Sequence, residues 1–267
     1  SDMSKDRRCN FNVARLFSDV YGGHSMREIK HAWTGRASAV ALIDYMGDED
    51  RICEVARISY NREDTKAKER LLWRLLSDGH GSPFEHVDFE FFIHAPIPVR
   101  TQLFRHRLAS PNELSGRYVN GTQNGFYVPE MGETEREDYL AVIQEAVNMY
   151  QRLMRKGIAR GTARMILPQG LMTKFYFKVN ARSLMNILNQ RLSYHAQSET
   201  AELATMLYEA MKLILPNVAD MLFKLYPTMR NVYHDMVRYI IYEEKPEVPW
   251  EPNIRDREFF LEGIETG

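Results

Sequence analysis

The sequence predicts an α+β fold. Two segments alternate apolar and polar residues with the period of a strand, and longer ones carry apolar residues at helical spacing. In "VDFEFFIHA", 87–95, Val87, Phe89, Phe91 and Ile93 share one side, while Asp88, Glu90 and His94 share the other. "TKFYFKVN", 173–180, alternates in the same way, so both read as half-buried strands. The chain has 267 residues, 44% of them hydrophobic, enough for a large core. No linker forces a boundary, so one domain over 1–267 is the simpler expectation.

The remaining elements follow in order. Residues 1–46 are mixed and give no clear period. "DEDRICEVARIS", 48–59, reads as a helix, and a second runs over about 64–78 with Leu71, Leu72, Leu75 and Leu76, stopping at Gly79. Ser82 before Pro83 suits the N-cap of one short turn. A short helix over 97–105 leads into a cation-rich stretch. Residues 119–133 hold three Gly and one Pro and read as loop. A long helix over 135–156 places Tyr139, Ile143, Val147, Tyr150 and Met154 on one face and ends at Gly157. Another short helix covers 158–166. Over 181–197, helical geometry puts Leu184, Leu188, Arg191 and His195 on one face and Arg182, Asn186, Asn189 and Ser193 on the opposite one. One or two helices fill 199–225 around Pro216, and the Pro-rich segment from 243 reads as surface wrapping.

Composition narrows the function. The formal net charge of −1 argues against a global nucleic-acid or membrane-surface binder. Two cysteines, Cys9 and Cys53, are too few for a disulfide framework or a thiolate zinc site, and a reducing, cytoplasmic setting is expected. Cys53 sits among apolar neighbours and reads as packing. No apolar run approaches a membrane span, and the N-terminal residues lack the apolar core of a signal peptide. The leading "SDM" reads as a tag remnant before Met3. No HExxH is present, and His80 and His86 lie six apart, so no metal is expected. Rossmann and Walker glycine patterns are absent.

"LFRHRLASPNELSGRY", 103–118, carries Arg105, His106, Arg107 and Arg117 against a single acid, Glu113. Charge clusters are usually solvated faces. Here Phe104, Leu108, Leu114 and Tyr118 flank the cations, and arginine suits bidentate phosphate recognition. A site around a phosphorylated small molecule therefore competes with the solvated loop. A nucleic-acid patch, with Tyr118 and Phe126 as stacking surfaces, is the third reading, disfavoured by the near-zero net charge. Ser115 invites a nucleophile reading, but His106 lies between two arginines without an orienting carboxylate. A ligand-binding serine is the better expectation.

The same stretch carries Arg105-His106-Arg107, seven residues, then Ser115, which resembles the RHR-x7-S signature of the flavin-dependent thymidylate synthases. "GHGSPFEH", "ARMILPQGL", "VNARSLMNILNQRLSYHAQ" and "VARISY" resemble further blocks of that family, so the likeness runs from about 55 to 195. Residues 1–46 and 226–267 lie outside it and are treated as terminal extensions. Pro111 departs from the usual pattern.

The resemblance implies a mixed, mainly antiparallel central sheet flanked by long helices, in a single domain that assembles as a homotetramer. It implies a cytoplasmic FAD enzyme that makes dTMP from dUMP, with methylenetetrahydrofolate as carbon donor and NADPH as reductant. It implies no covalent enzyme nucleophile, no nucleic-acid partner and no membrane. Carried over by position, the FAD contacts are Ser59, Ser82, Glu85, Arg105, His106, Arg107, Leu108, Asn180, Arg182, Asn186 and His195. The dUMP contacts are Gln102, Arg105, Glu113, Ser115, Gly116, Arg117, Arg164 and Arg191. Arg191 resembles the arginine that polarises the uracil ring, and His80 the histidine beside flavin and folate. An arginine at a pyrimidine carbonyl stabilises the charge that builds as C5 attacks carbon.

Overall fold

The computed structural model describes residues 29–58 and 68–242. The described residues divide into two compact units, one over 29–46 and 88–180, the other over 47–58, 68–87 and 181–242. Ser59 and Cys9, named above, lie outside the described residues.

Among the described residues, the first unit is built on a five-stranded sheet. Its strands are β1 (His31–Thr34), β2 (Ala39–Met46), β3 (Asp88–Pro96), β4 (Ala109–Glu113) and β5 (Met172–Asn180). They lie in the order β1-β2-β3-β5-β4. Every pairing among these strands is antiparallel, in line with the mainly antiparallel sheet expected. The β3–β5 register sets Phe91 opposite Phe177 and Ile93 opposite Phe175, so a row of aromatic and branched side chains fills one face. Phe89, Phe91, Ile93, Phe175, Phe177 and Val179 are all buried there. The opposite face also carries a core, Ala39, Ala41, Ile43 and Phe92. β3 is therefore covered on both faces over much of its length, more than the half-buried strand the alternation predicts. Period-2 patterning cannot see the small alanines of β2 that allow this.

β1, β2 and β4 carry no clear sequence signal. "ASPNE" is poor strand sequence. It pairs all the same, because β4 is the sheet edge and Pro111, opposite Phe177, needs no donor on its outer side. Of the first five helices, α1 (Glu49–Ile58) and α2 (Lys68–Ser77) belong to the second unit, while α3 (Ile97–Leu103), α4 (Glu133–Arg155) and α5 (Arg160–Ala163) belong to the first. α3 follows β3 directly and buries Val99 and Leu103. α4 has Glu133 and Glu135 in its first turn and Arg152 and Arg155 in its last, matching the helix dipole, and buries Ile143 and Tyr150. α5 runs into a 3-10 turn, Arg164–Ile166.

The second unit is helical. After α2 comes a 3-10 turn, Ser82–His86, then α6 (Ala181–Arg191), α7 (Ser198–Ile214), α8 (Pro216–Leu225) and α9 (Pro227–Tyr242). Ser82 opens the turn rather than capping it; Gly81 holds the cap position, without a side-chain hydrogen bond. Every residue of α7 from Thr200 to Met211 is buried, so this helix is the centre of its unit. Glu209 within it accepts from Tyr233 Oη of α9. The stretch counted above as a C-terminal extension thus supplies α9, whose Met229, Val232 and Met236 are buried. Among the described residues no helix is long and apolar enough to cross a membrane.

Candidate active site

In the sheet unit, β3 ends at Pro96 and α3 starts at once, so the turn after α3 delivers Arg105, His106 and Arg107 beside the sheet edge. β4 then carries the chain back along β5 to Glu113. Arg105, Arg107 and Leu108 are exposed and His106 is half-buried. Arg105 and Arg107 form no ion pair among the described residues. Gln102, one turn earlier on α3, is half-buried.

Glu113, Ser115, Gly116 and Arg164 come together on a cleft of about 550 Å³, also lined by Arg100, Asn124 and Thr173. Glu113 is fixed there. Thr173 Oγ1 donates to its Oε1 at 2.7 Å, and Arg100 Nε stands 3.3 Å from the same oxygen. That second contact is an ion pair by distance and not a hydrogen bond, so Arg100 Nε is buried without a hydrogen-bond partner. Sequence reasoning misses both braces. Thr173 gives one signal: it is a polar residue on the strand row of Phe175, Phe177 and Val179, which otherwise faces the core.

Ser115 begins a turn that accepts backbone N–H groups from Tyr118 and Val119 at 3.0 and 3.1 Å. Its hydroxyl accepts the Arg117 N–H at 3.4 Å, and among the described residues no imidazole or carboxylate hydrogen-bonds it. Arg117 borders a neighbouring cleft of about 430 Å³, together with Arg160 and Arg164. Arg164 and Met165 border both clefts.

In the helical unit, Arg182 pairs with Glu85 across the 3-10 turn. Gly81 makes room for this: a Cβ there would sit 2.5 Å from Arg182 Nε. Ser82, Glu85, Arg182 and Asn186 are all exposed, as is His80 just before the turn. Buried Pro83 and Phe84 anchor the turn. Arg191 is the last residue of α6, half-buried, where the helix stops six residues short of the predicted 197. His195 is exposed in the turns that follow, so the shared helical face of Arg191 and His195 does not exist. Asn180 ends β5 in the sheet unit, opposite Asp88.

Two histidines outside the expected set have lowered pKa values: His234 on α9, through partial burial and the nearby Arg230 and Arg238 charges, and His94. His94 on β3 is buried, and burial with the nearby Lys174 charge lowers its pKa to about 4, against a weaker upward push from a backbone hydrogen bond to Asn124. Among the described residues no three His, Cys, Asp or Glu side chains group to hold a metal ion.

This chain resembles known proteins over the same residues. Residues 41–217 match the family described as thymidylate synthase complementing protein. The flavin-dependent thymidylate synthase of Thermotoga neapolitana is 44% identical over 176 residues, 62% of this chain and 81% of that protein. Its counterpart from Thermus thermophilus is 39% identical over 196 residues, 66% of this chain and 72% of that one. The UMP/dUMP methylase PolB of Streptomyces cacaoi, solved with 5-Br UMP, is 28% identical with a TM-score of 0.65, covering 72% of this chain and 96% of that chain. Its complex with 5-Br dUMP matches equally well. With two thirds of its length under that family's profile and such relatives, the chain belongs to the flavin-dependent thymidylate synthases.

Proposed function

We propose that this enzyme makes dTMP from dUMP at the cleft lined by Glu113, Ser115, Gly116 and Arg164. Methylenetetrahydrofolate gives the carbon, and NADPH supplies the reducing equivalents. FAD, when bound, supplies the hydride that completes the methyl group. The carrying observation is the cleft itself: it pairs an arginine and a serine turn, suited to a phosphate, with a braced carboxylate suited to a neutral donor.

The donor set fits a flavin dinucleotide. Arg105 and Arg107 present guanidiniums to solvent without a carboxylate partner, which suits a pyrophosphate. His106, Leu108, Asn180, Ser82, Glu85, Arg182, Asn186, His195 and, outside the described residues, Ser59 complete the proposed FAD contacts. Gln102, Arg105, Arg117 and Arg191 join the four cleft residues on dUMP. Arg191 polarises the uracil carbonyl, and His80 stands beside flavin and folate. No covalent nucleophile is used, a reading supported by the lack of any base on Ser115 Oγ among the described residues.

The chain acts as a homotetramer in this reading. Leu108, Tyr118 and Met165 border the sheet-unit candidates at 78%, 74% and 81% exposure. Large apolar side chains left open beside a polar cleft suit coverage by further copies.

Arg191→Ala tests the assignment. We expect turnover to fall at least about a hundredfold with FAD retained, since the arginine acts on charge that develops in the reaction. Unchanged turnover contradicts the role of Arg191. A second reading, methylation of UMP as well, is favoured by the likeness to PolB, a UMP/dUMP methylase. Competition between dUMP and UMP in one assay separates them.

A further inference from the structure

Three successive residues of the 115–118 turn engage one short helical segment. A Cβ on Gly116 would lie 2.8 Å from Arg164 Nη1, so the guanidinium rests on the bare glycine backbone. A Cβ on Gly161 would lie 3.6 Å from Arg117 Cγ, so the Arg117 stem passes over that glycine. The Tyr118 carbonyl accepts from Arg160 Nη1. The last of these is the only side-chain hydrogen bond in the set. Arg160 is half-buried, with its Nε sealed from water and without a partner, a cost worth keeping only if the tether matters.

We propose that Arg160 is a positioning residue for the nucleotide phosphate. It holds the turn against α5, and Arg117 and Arg164 then converge on the cleft that all three border. Two guanidiniums that border one cleft repel, so without a tether the turn relaxes outward and the pair opens. The inference rests on dUMP as substrate and adds a residue absent from the expected contacts. Arg160 acts through the other two arginines, so its effect is confined to ligands that carry the phosphate.

The test compares dUMP with deoxyuridine, which lacks only the phosphate. Dissociation constants for both are measured on the FAD-loaded enzyme by calorimetry, for wild type, Arg160→Met and Arg160→Lys. Met keeps the length of the side chain and removes the donors; Lys restores one donor. We expect the preference for dUMP over deoxyuridine to fall about tenfold in the Met variant, with deoxyuridine binding unchanged, and to return at least half-way, on a logarithmic scale, in the Lys variant. An unchanged preference, or equal weakening toward both ligands, overturns the proposal. Should the Met variant fail to take up FAD, the Lys variant decides alone: a smaller drop of about threefold is expected, from an ammonium that reaches the carbonyl without the fork, and wild-type preference overturns the proposal. A wild type that does not bind dUMP overturns the substrate reading and this inference with it.

Discussion

Arg164 Nη1 stands 2.8 Å from the point where a Cβ on Gly116 would lie, too close for a real side chain to keep. The glycine is needed for closeness, not for an unusual backbone angle. Arg164 borders two clefts at once, so its position links the Ser115 side to the Arg117 side.

Gly116→Ala is therefore expected to displace the guanidinium. The flexible side chain can retreat, so the fold survives. The KM for dUMP should rise about tenfold while FAD content stays at the wild-type level, the loss of one charge-assisted contact. Steady-state kinetics and the flavin absorbance of the purified variant check both.

Thr173 gives a subtler prediction. Its hydroxyl holds Glu113 Oε1 at 2.7 Å, while Arg100 flanks the same oxygen. Thr173→Val keeps the shape and removes the donor. Glu113 then has one brace, and the KM for dUMP should rise about threefold, the worth of a modest hydrogen bond. A kcat change without a KM change would contradict the orienting role.

Glu49 controls stability in the helical unit. It is buried, and its carboxylate accepts the Val218 N–H at 3.0 Å and Asn217 Nδ2 at 2.7 Å, capping α8 from another helix. Lys68 stands 3.8 Å away. Glu49→Ala strands both donors and is expected to cost about 3 kcal/mol, read from urea unfolding.

His94 makes stability depend on pH. Its folded pKa of about 4 lies below the ordinary 6.5, so between these values the unfolded chain binds a proton that the folded chain refuses. The contribution is therefore intact above pH 6.5 and is lost as pH falls toward 4, to a total of roughly 3 kcal/mol. In His94→Gln the urea midpoint should fall less between about pH 7.5 and about pH 5 than in wild type.

How much is legible in the sequence varies by physical cause. β3 and β5 can be read because their apolar rows repeat every second residue along paired strands. β4 cannot, since a proline and an asparagine make a strand only at an edge, and an edge is a property of the whole sheet. The pattern overextends α6 because its polar face continues into 192–197, where turns replace the helix. Glu113, Ser115 and Gly116 are found through a signature within one short segment. Arg100, Thr173 and Arg160 are not, because their importance comes from contacts across the fold. Thr173 lies 60 residues from Glu113, and Arg160 lies 42 from Tyr118.

The folate product is the most direct measurement of the central claim. Purified, FAD-loaded enzyme is incubated with dUMP, methylenetetrahydrofolate and NADPH, and both products are quantified by chromatography. The account predicts dTMP and tetrahydrofolate in equal amounts, because the hydride comes from the flavin. Absence of dTMP, or dTMP accompanied by dihydrofolate, would contradict it.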